Sequence, residues 1–404
     1  MSCPEVATLL TQEGGRYLTN MIGPRVLGKS PWVRLVPRDR FPEGMNDEIS
    51  YLTYEPAAPD DADPQWDPVI TPTTPQPGGN CARPAHHVTV GSTSRSFSLY
   101  ERILEGDDVC AKMLRTPFIA AQQMAAIIRV LTEYVTIEWE YFIRNRYHLC
   151  CRYHVVVKQD GAYCVPVVDD SESGEYPIAS GADLPTSPLT QGVLDWAKIL
   201  MCRNGSADGV LGTENGAPIM TAMMSWETHD AILRQDPEIR RDLHYGDPGE
   251  LLKPLGVEGS YRGWFHVLDL KARRFTADGK GVLTQIAPYI KQAATRGFRY
   301  VVNPAYMLAD YEETLVFNRN VMLLRHPDPV GVVAGLPFNP INSLGEWSWK
   351  NIPDRTCNPD GDIVFPRATL SAAVQAVDPW SGMAILHKVP CNTLRLVNDC
   401  YCAQ

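Results

Sequence analysis

The segment PFIAAQQMAAIIRVLTEYVTIEWEYFIRNRY (117–147) constrains this chain more than any other. Thr116 stands where an N-cap belongs, and Pro117 where proline fits at the first helical position. Met124, Ile128, Leu131, Val135 and Phe142 follow along one stripe, with Ile127, Tyr134 and Tyr141 in a row beside it. The pattern predicts one helix from Pro117 to about Tyr147, roughly 45 Å long at 1.5 Å per residue and well beyond the usual globular length. Arg144, Arg146 and Arg152 gather at its C-terminal end, where the helix dipole favours cations. Glu140 and Arg144 are spaced to pair at i,i+4. The helix carries no metal-ligand spacing, no nucleophile beside a base and no phosphate-binding glycine turn.

What precedes the helix is of a different kind. Residues 4–21 suit a short amphipathic helix broken at Gly14-Gly15. PRVLGKSPWVRLVPRDR (24–40) has three prolines and little periodicity, which predicts an extended arm. Its basic side chains Arg25, Lys29, Arg34, Arg38 and Arg40 face one acid, Asp39. DEISYLTYE (47–55) and HHVTVGSTSRSFSLYERIL (86–104) read as strands. Between them lies PAAPDDADPQWDPVITPTTPQPGGN (56–80), with seven prolines and the acids Asp60, Asp61, Asp63 and Asp67. This two-stranded excursion has too few large apolar residues for its own core, and an isolated hairpin is marginal in water. It must lie on its own domain or on a neighbouring subunit.

Downstream, RYHVVVKQDGAYCVPVV (152–168) predicts a hairpin turning at Asp160-Gly161. LTQGVLDWAKILM (189–201) predicts a helix, and PIMTAMMS (218–225) a buried strand leading into a helix at WETHDAILRQ (226–235). Asp236-Pro237-Glu238 opens another helix. RGWFHVLDL (262–270) and FRYVVNP (298–304) suit strands, while GVLTQIAPYIKQAATRG (281–297) is expected to hold a helix closed by Gly297. Residues 346–404 read as strand and loop, with a helical period only in TLSAAVQAV (369–377).

With 404 residues, 44% of them apolar and 21% charged, the chain is long and apolar enough for two or three packed units. Its net charge of −10 argues against a primary nucleic-acid binder, which carries a basic face. The eleven cysteines are odd in number and contain no Cys-x-x-Cys pair, so half-buried reduced thiols are expected rather than a zinc ribbon. MSCPEVATLLTQEGG lacks the pattern of a signal peptide, and no window approaches the roughly 18 apolar residues of a membrane span. A soluble protein made in a cytoplasm is expected.

Candidate chemistry is thin. Ser225, Glu227, His229 and Asp230 are nearly consecutive in SWETHD, whereas a catalytic triad converges from separate directions. Ser225 is better read as an N-cap with Glu227 in the first turn. YHLCCRYH places His148, Cys150, Cys151 and His154 across a helix end, the best candidate for a metal-dependent or Cys/His-dependent enzyme. A helix C-terminus disfavours thiolate, however. His86-His87 fits a solvated strand start, DGKG (278–281) a turn, and Asn204-Gly205-Ser206 a sequon with no secretory signal to give it meaning. The reading assigns no catalytic residue, no cofactor and no metal.

The order of parts says more than any motif. A basic arm precedes a long two-stranded loop, then come a long helix, a hairpin, an α/β unit and returning strands. This order, with FPEGMNDEISYLTYE (41–55), GNCARPAHHVTVGSTSRSFSLYERILEGDDVC (79–110), IEWEYFIRNRY (137–147), PIMTAMMSWETHDAIL (218–233) and FNRNVMLLRHPDP (317–329), resembles the major capsid proteins of tailed bacteriophages of the Hong Kong 97 type. The resemblance implies an α+β, Hong Kong 97-like fold. Its parts would be an N-terminal arm (1–40), an extended loop (41–110), a peripheral domain (111–190 and 346–404) with the long helix as spine, and an axial domain (191–345). It implies a non-enzymatic subunit whose hexamers and pentamers form an icosahedral shell around double-stranded DNA, bound without sequence specificity. Portal and possible decoration, cement or scaffolding proteins would be its further partners, the virion its location and a bacterial cytoplasm its place of synthesis. An encapsulin-like compartment shell shares the fold and is the alternative. As the chain begins at Met1, any scaffold is expected to be a separate protein. Arg34, Arg38 and Arg40, Asp60, Asp61 and Asp63, and Arg144 and Arg146 are the expected assembly contacts, with arm and loop tip meeting across subunits by charge complementarity. In the founding member of that family a lysine on the extended loop forms a covalent cross-link, whereas here no lysine occurs between Lys29 and Lys112. Denaturing gels of assembled particles are therefore expected to show a band near 45.0 kDa, and ladders that survive reducing agent would contradict this.

Overall fold

The computed structural model describes residues 18, 20–26, 28–41, 48–56, 90–106, 108–110, 117–158, 167–168, 174–203, 213–214, 217–235, 257–261, 263–293, 298–318, 321–327, 344, 346–351 and 363–390. The chain is α+β and falls into two compact units, Glu43–Leu99 and the remainder, Met1–Pro42 with Tyr100–Gln404.

The described residues of the smaller unit form an antiparallel pair. Glu48–Pro56 runs against Val90–Glu105, in unbroken register from Glu48↔Ser98 to Pro56↔Val90. The strands expected around 47–55 and 86–104 are therefore present. The proline-rich stretch with Asp60, Asp61 and Asp63 lies outside the described residues, as do His86-His87, the turn at Asp160-Gly161, the helix proposed at 236–238 and Asn204.

In the larger unit one mixed sheet takes the order Val257–Tyr261, Trp264–Leu268, Met220–Met224, Tyr311–Phe317, Gly382–Lys388, Tyr153–Val156, Val167–Val168, with Arg274–Ala277 also on Tyr311–Phe317. Its strands come from 111–190, 191–345 and 346–404 alike. Successive side chains on a strand point to opposite faces, and both faces of this sheet are covered. Met223, Phe265, Val267, Leu315, Phe317 and Ala384 join the core that holds the long helix. Met220, Ala222, Met224, Val316, Met383 and Ile385 join a second core with Val193, Leu194, Ala197 and Met201 of the helix Gln191–Arg203. Double coverage explains why MTAMM reads as a continuous apolar run. A second sheet is built on Ile363–Ala376, which pairs with Met322–His326, Glu346–Asn351 and Val109–Cys110.

The long helix runs Pro117–Cys150, 34 residues and about 51 Å. Its buried stripe is Ile128, Leu131, Val135, Trp139, Ile143, Tyr147 and Cys150. It is longer and more continuous than 117–147 suggested, because Trp139, Ile143 and Tyr147 carry it to the end while Phe142 packs only partly buried beside it. Trp226–Gln235 begins where expected, and Thr228 N donates to Ser225 Oγ at 3.2 Å, so Ser225 is the N-cap. DGKG is a turn: Asp278 Oδ1 accepts from Lys280 N and Val282 N, and Gly281 has φ +93°, with Ser180 backbone where a Cβ would stand. Among the described residues no helix is long and apolar enough to cross a membrane.

Three expectations are corrected. The arm is not simply extended. Residues 20–26 are helical, and Pro31–Leu35 forms a short helix capped by Ser30, with Trp32 and Val33 buried. Pro31 occupies the first helical turn, where its missing N–H leaves no bond unmade. TLSAAVQAV is strand, part of Ile363–Ala376, because neighbours on both edges supply backbone hydrogen bonds and Leu370 and Ala372 alternate inward. The helix expected within 281–297 is a pair of strands, Leu283–Ile286 and Tyr289–Ala293. Pro288 breaks any helix there, and Tyr289–Ala293 finds its partner in Phe298–Val302.

Several histidines are folded in as neutral groups. Burial pushes His229 down to about 4, His266, beside His229, to about 3, and His326, near Arg38, to about 3. An unfolded chain binds these protons near pH 6.5, so it takes up protons in a range where the folded chain refuses them. Stability is full above about pH 6.5 and lost as pH falls, by about 1.4 kcal/mol per pH unit per histidine. Chemical denaturation is expected to show midpoints falling steadily from about pH 6.5 to about pH 4. His266→Leu is expected to flatten that slope.

Candidate functional site: a buried ionic seam and an aromatic cleft

The long helix buries a second stripe beside the apolar one, and it is polar: Thr132, Thr136, Glu140, Arg144 and His148, each four residues from the last. Positions four apart share one helix face, so the row presents a single line of polar groups to the interior. Thr132 and Thr136 satisfy themselves by donating to the carbonyls of Ile128 and Thr132, both at 2.6 Å. The other three meet one short segment, LDLKARRF (268–275), and the strand Tyr311–Phe317.

Arg144 donates through Nε and Nη2 to both oxygens of Asp269, at 2.8 and 2.7 Å. Trp32 Nε1 donates to Asp269 Oδ2 at 2.8 Å. Burial works against the charge on Arg144, but Asp269 attracts it and accepts its hydrogen bonds, so its proton is held more tightly than usual. Lys271 Nζ lies 2.5 Å from Glu140 Oε2. Arg273 reaches Glu313 at 3.2 and 3.3 Å. Arg274 lies 2.9 Å from Glu312 and from Glu227. Glu312 and Glu313 are adjacent on one strand and point to opposite faces, and Arg274 meets the first while Arg273 meets the second. Burial opposes both carboxylates, yet Arg274 holds Glu312 below its usual range, and Arg273 with His148 holds Glu313 well below it.

This seam corrects two expectations. Glu140 and Arg144 do not bond each other along the helix: one binds Lys271, the other Asp269. Arg144 is also no outward contact, being 2% exposed and bound within its own chain. Partners more than a hundred residues away outcompete an i,i+4 pair, because bonds to charged groups are stronger when shielded from water.

The enzyme-like cluster resolves into structural groups. The rings of His148 and His154 are 4.8 Å apart, but His148 is engaged by Glu313 and Gly174. Cys150 and Cys151 are buried and form no disulfide, and burial, then Cys150 and Glu313, push the Cys151 thiol well up, away from thiolate. Among the described residues no group of three or more His, Cys, Asp or Glu is placed to hold a metal ion.

Of the arginines named from the sequence, Arg34 donates to Gly28 O and Arg38 to Val33 O at 2.5 Å, while the Arg40 backbone N–H donates to Asp39 Oδ1 at 2.8 Å. Burial lowers Arg38 to about 10. Arg146 is different. Its guanidinium lies 4.1 Å from the Tyr100 ring centroid and 5.9 Å from that of Phe142, at a cleft of about 500 Å³ lined also by Trp139, Tyr141 and Leu370. Arg102 and Glu138 pair at 3.1 Å on its wall. Sequence reasoning named Arg146 and missed Tyr100, which shows only as an aromatic in a strand. It also missed Asp269. The signal for Asp269 was present in the polar row at four-residue spacing, which demands buried counter-charges.

No family model matches the chain, and no curated protein matches it. Among solved structures it is similar to the capsid of Ralstonia phage GP4, at 9% identity over 88% of this chain and 87% of that one, with a TM-score of 0.47. It is likewise similar to the capsid asymmetric unit of cyanophage Pam1, at 11% identity over 90% and 93% with a TM-score of 0.48. The capsid of Helicobacter pylori bacteriophage KHP30 is similar at 9% identity over 90% and 92%, with a TM-score of 0.44.

Within the seam, Asp269→Leu is expected to leave the Arg144 guanidinium and the Trp32 indole N–H without their acceptor, and to lower unfolding free energy by about 3–5 kcal/mol. The double variant with Arg144→Met is expected to recover much of that loss, since both charges are then gone. Denaturant titration of the single and double variants checks this.

Proposed function

We propose that the chain is a structural shell subunit: a major capsid protein of the Hong Kong 97-like type that assembles into hexamers and pentamers of an icosahedral shell around double-stranded DNA. The observation that carries this reading is the strand pair of Glu43–Leu99, which forms a compact unit of its own. Two strands alone are marginal in water, so such a pair needs a surface to lie on, and a shell of repeated copies offers one. The order of arm, loop, long helix and α/β unit supports the same role. In this reading 111–190 with 346–404 is the peripheral domain, 191–345 the axial domain, and the subunit turns over no substrate.

The net charge of −10 suits a container that must not adhere to packaged DNA. The proposed contacts are Arg34, Arg38 and Arg40 of one copy with Asp60, Asp61 and Asp63 of another, and Arg146 at the mouth of its cleft. Such charges set register and encounter rate more than affinity. Portal and decoration, cement or scaffolding proteins complete the particle, which is the virion.

Electron microscopy of the purified chain under assembly conditions is expected to show closed, regular shells. A stable 45.0 kDa monomer with catalytic turnover would overturn the reading. Charge reversal of Arg40 and Arg146 to Glu is expected to lower assembly yield and alter its salt dependence.

A further inference from the structure

Among the described residues, the ribbon of Tyr289–Ala293 with Phe298–Val302 pairs with no other strand. A two-stranded ribbon is marginal in water, so its fastening to the rest of the chain matters. One fastening is a pair of tyrosines. Tyr300 Oη donates to Tyr134 Oη at 3.0 Å, and the ring centroids lie 5.5 Å apart with 50° between the planes. Tyr134 stands on the long helix with its ring partly buried against the core, so it is held in place. Tyr300 is 37% exposed, so a small solute reaches its phenol from water. Glu138, one turn along the helix from Tyr134, and its partner Arg102 lie within electrostatic reach of Tyr300. Burial and the hydrogen bond to Tyr134 push the Tyr300 phenol up, so it keeps its proton. Each ortho carbon is bonded to the carbon that bears the hydroxyl, so converging hydroxyls bring the ortho carbons of the two rings together.

We propose that Tyr134 and Tyr300 are a dityrosine-forming pair: a peroxide-class oxidant joins their ortho carbons and staples the ribbon to the long helix. Each phenol gives up one electron and its hydroxyl proton and becomes a phenoxyl radical, whose unpaired spin is shared with its ortho carbons. One bond forms, from Cε of one ring to Cε of the other. One C–H bond breaks at each joined carbon as the rings regain aromaticity, and these hydrogens return to the oxygens as protons. The net loss is two electrons and two protons. The O–O bond of the peroxide accepts both electrons and is cleaved. The new bond closes a loop within one chain, between positions 166 apart. It therefore adds no ladder to a denaturing gel. A cross-link that closes so long a loop restricts the unfolded chain and stabilises the folded one.

Oxidation of the full chain, folded and dilute, tests this, with peroxydisulfate and a light-activated ruthenium bipyridyl complex as the oxidant. The wild-type monomer is expected to gain the blue fluorescence of dityrosine and to run ahead of the untreated band on a reducing denaturing gel. Proteolysis is expected to release a joined pair of peptides holding Tyr134 and Tyr300, with the summed mass less two hydrogens. Tyr134→Phe and Tyr300→Phe keep the rings and lose the oxidisable hydroxyl, and each is expected to lose the joined peptides. The denaturant midpoint of the oxidised wild type is expected to stand above that of Tyr300→Phe treated alike, by more than the two differ before oxidation. Oxidised wild-type monomer without the joined peptides overturns the proposal. Joined peptides with no such gain in midpoint overturn the staple.

Discussion

The carboxylate of Asp269 is where the architecture is tied together. It follows directly on the strand Trp264–Leu268 and accepts from Arg144 on the long helix and from Trp32 on the N-terminal segment, so three distant stretches of chain share one anion. The indole of Trp32 lies against the rings of Tyr147 and Phe317, at centroid distances of 5.5 and 6.1 Å. Apolar packing alone tolerates sliding of a helix along a sheet, since one methylene contact replaces another. A forked guanidinium–carboxylate pair does not, because its geometry is met at one position only. The residues that follow, Lys271, Arg273 and Arg274, repeat the constraint at successive points against Glu140, Glu313 and Glu312.

Such a seam is an expensive way to gain stability. Desolvating each charge costs several kcal/mol, and a well-packed apolar replacement is often as stable. Register is what the seam secures. A helix of 34 residues laid across two sheets has many near-equivalent placements for its apolar stripe. The polar row from Thr132 to His148 allows one of them.

Parts of this were legible in the sequence. The long helix and the strands around 47–55, 86–104, 220–224 and 298–302 follow from local periodicity, and Ser225 from capping chemistry. The misread stretches share one cause. TLSAAVQAV is helical by composition and strand by partnership, because paired edges outweigh propensity. The basic arm reads as extended from its prolines, yet Trp32 and Val33 draw it into the core. Glu140 and Arg144 satisfy the local pairing rule and ignore it. Arg146 was readable as a cation at a helix end; that Tyr100 stacks beneath it was not, since forty-odd positions separate them in sequence and only the fold adds them together.

By itself, then, the sequence determined what short-range physics controls: the length and faces of the helix, the alternation of the strands, the caps, the turn at 278–281, and the lack of lysine from Ser30 to Ala111. Only the tertiary structure decided which charges meet. Coulomb and hydrogen-bond energies depend on separation in space and on the exclusion of water, and neither is written in the spacing of residues along the chain. Asp269, Glu313 and His148 acquired their roles from burial and from partners brought across a hundred residues or more, and Glu312 from burial and from partners 38 and 84 positions away. Their identities were visible from the start, but their pairing was not.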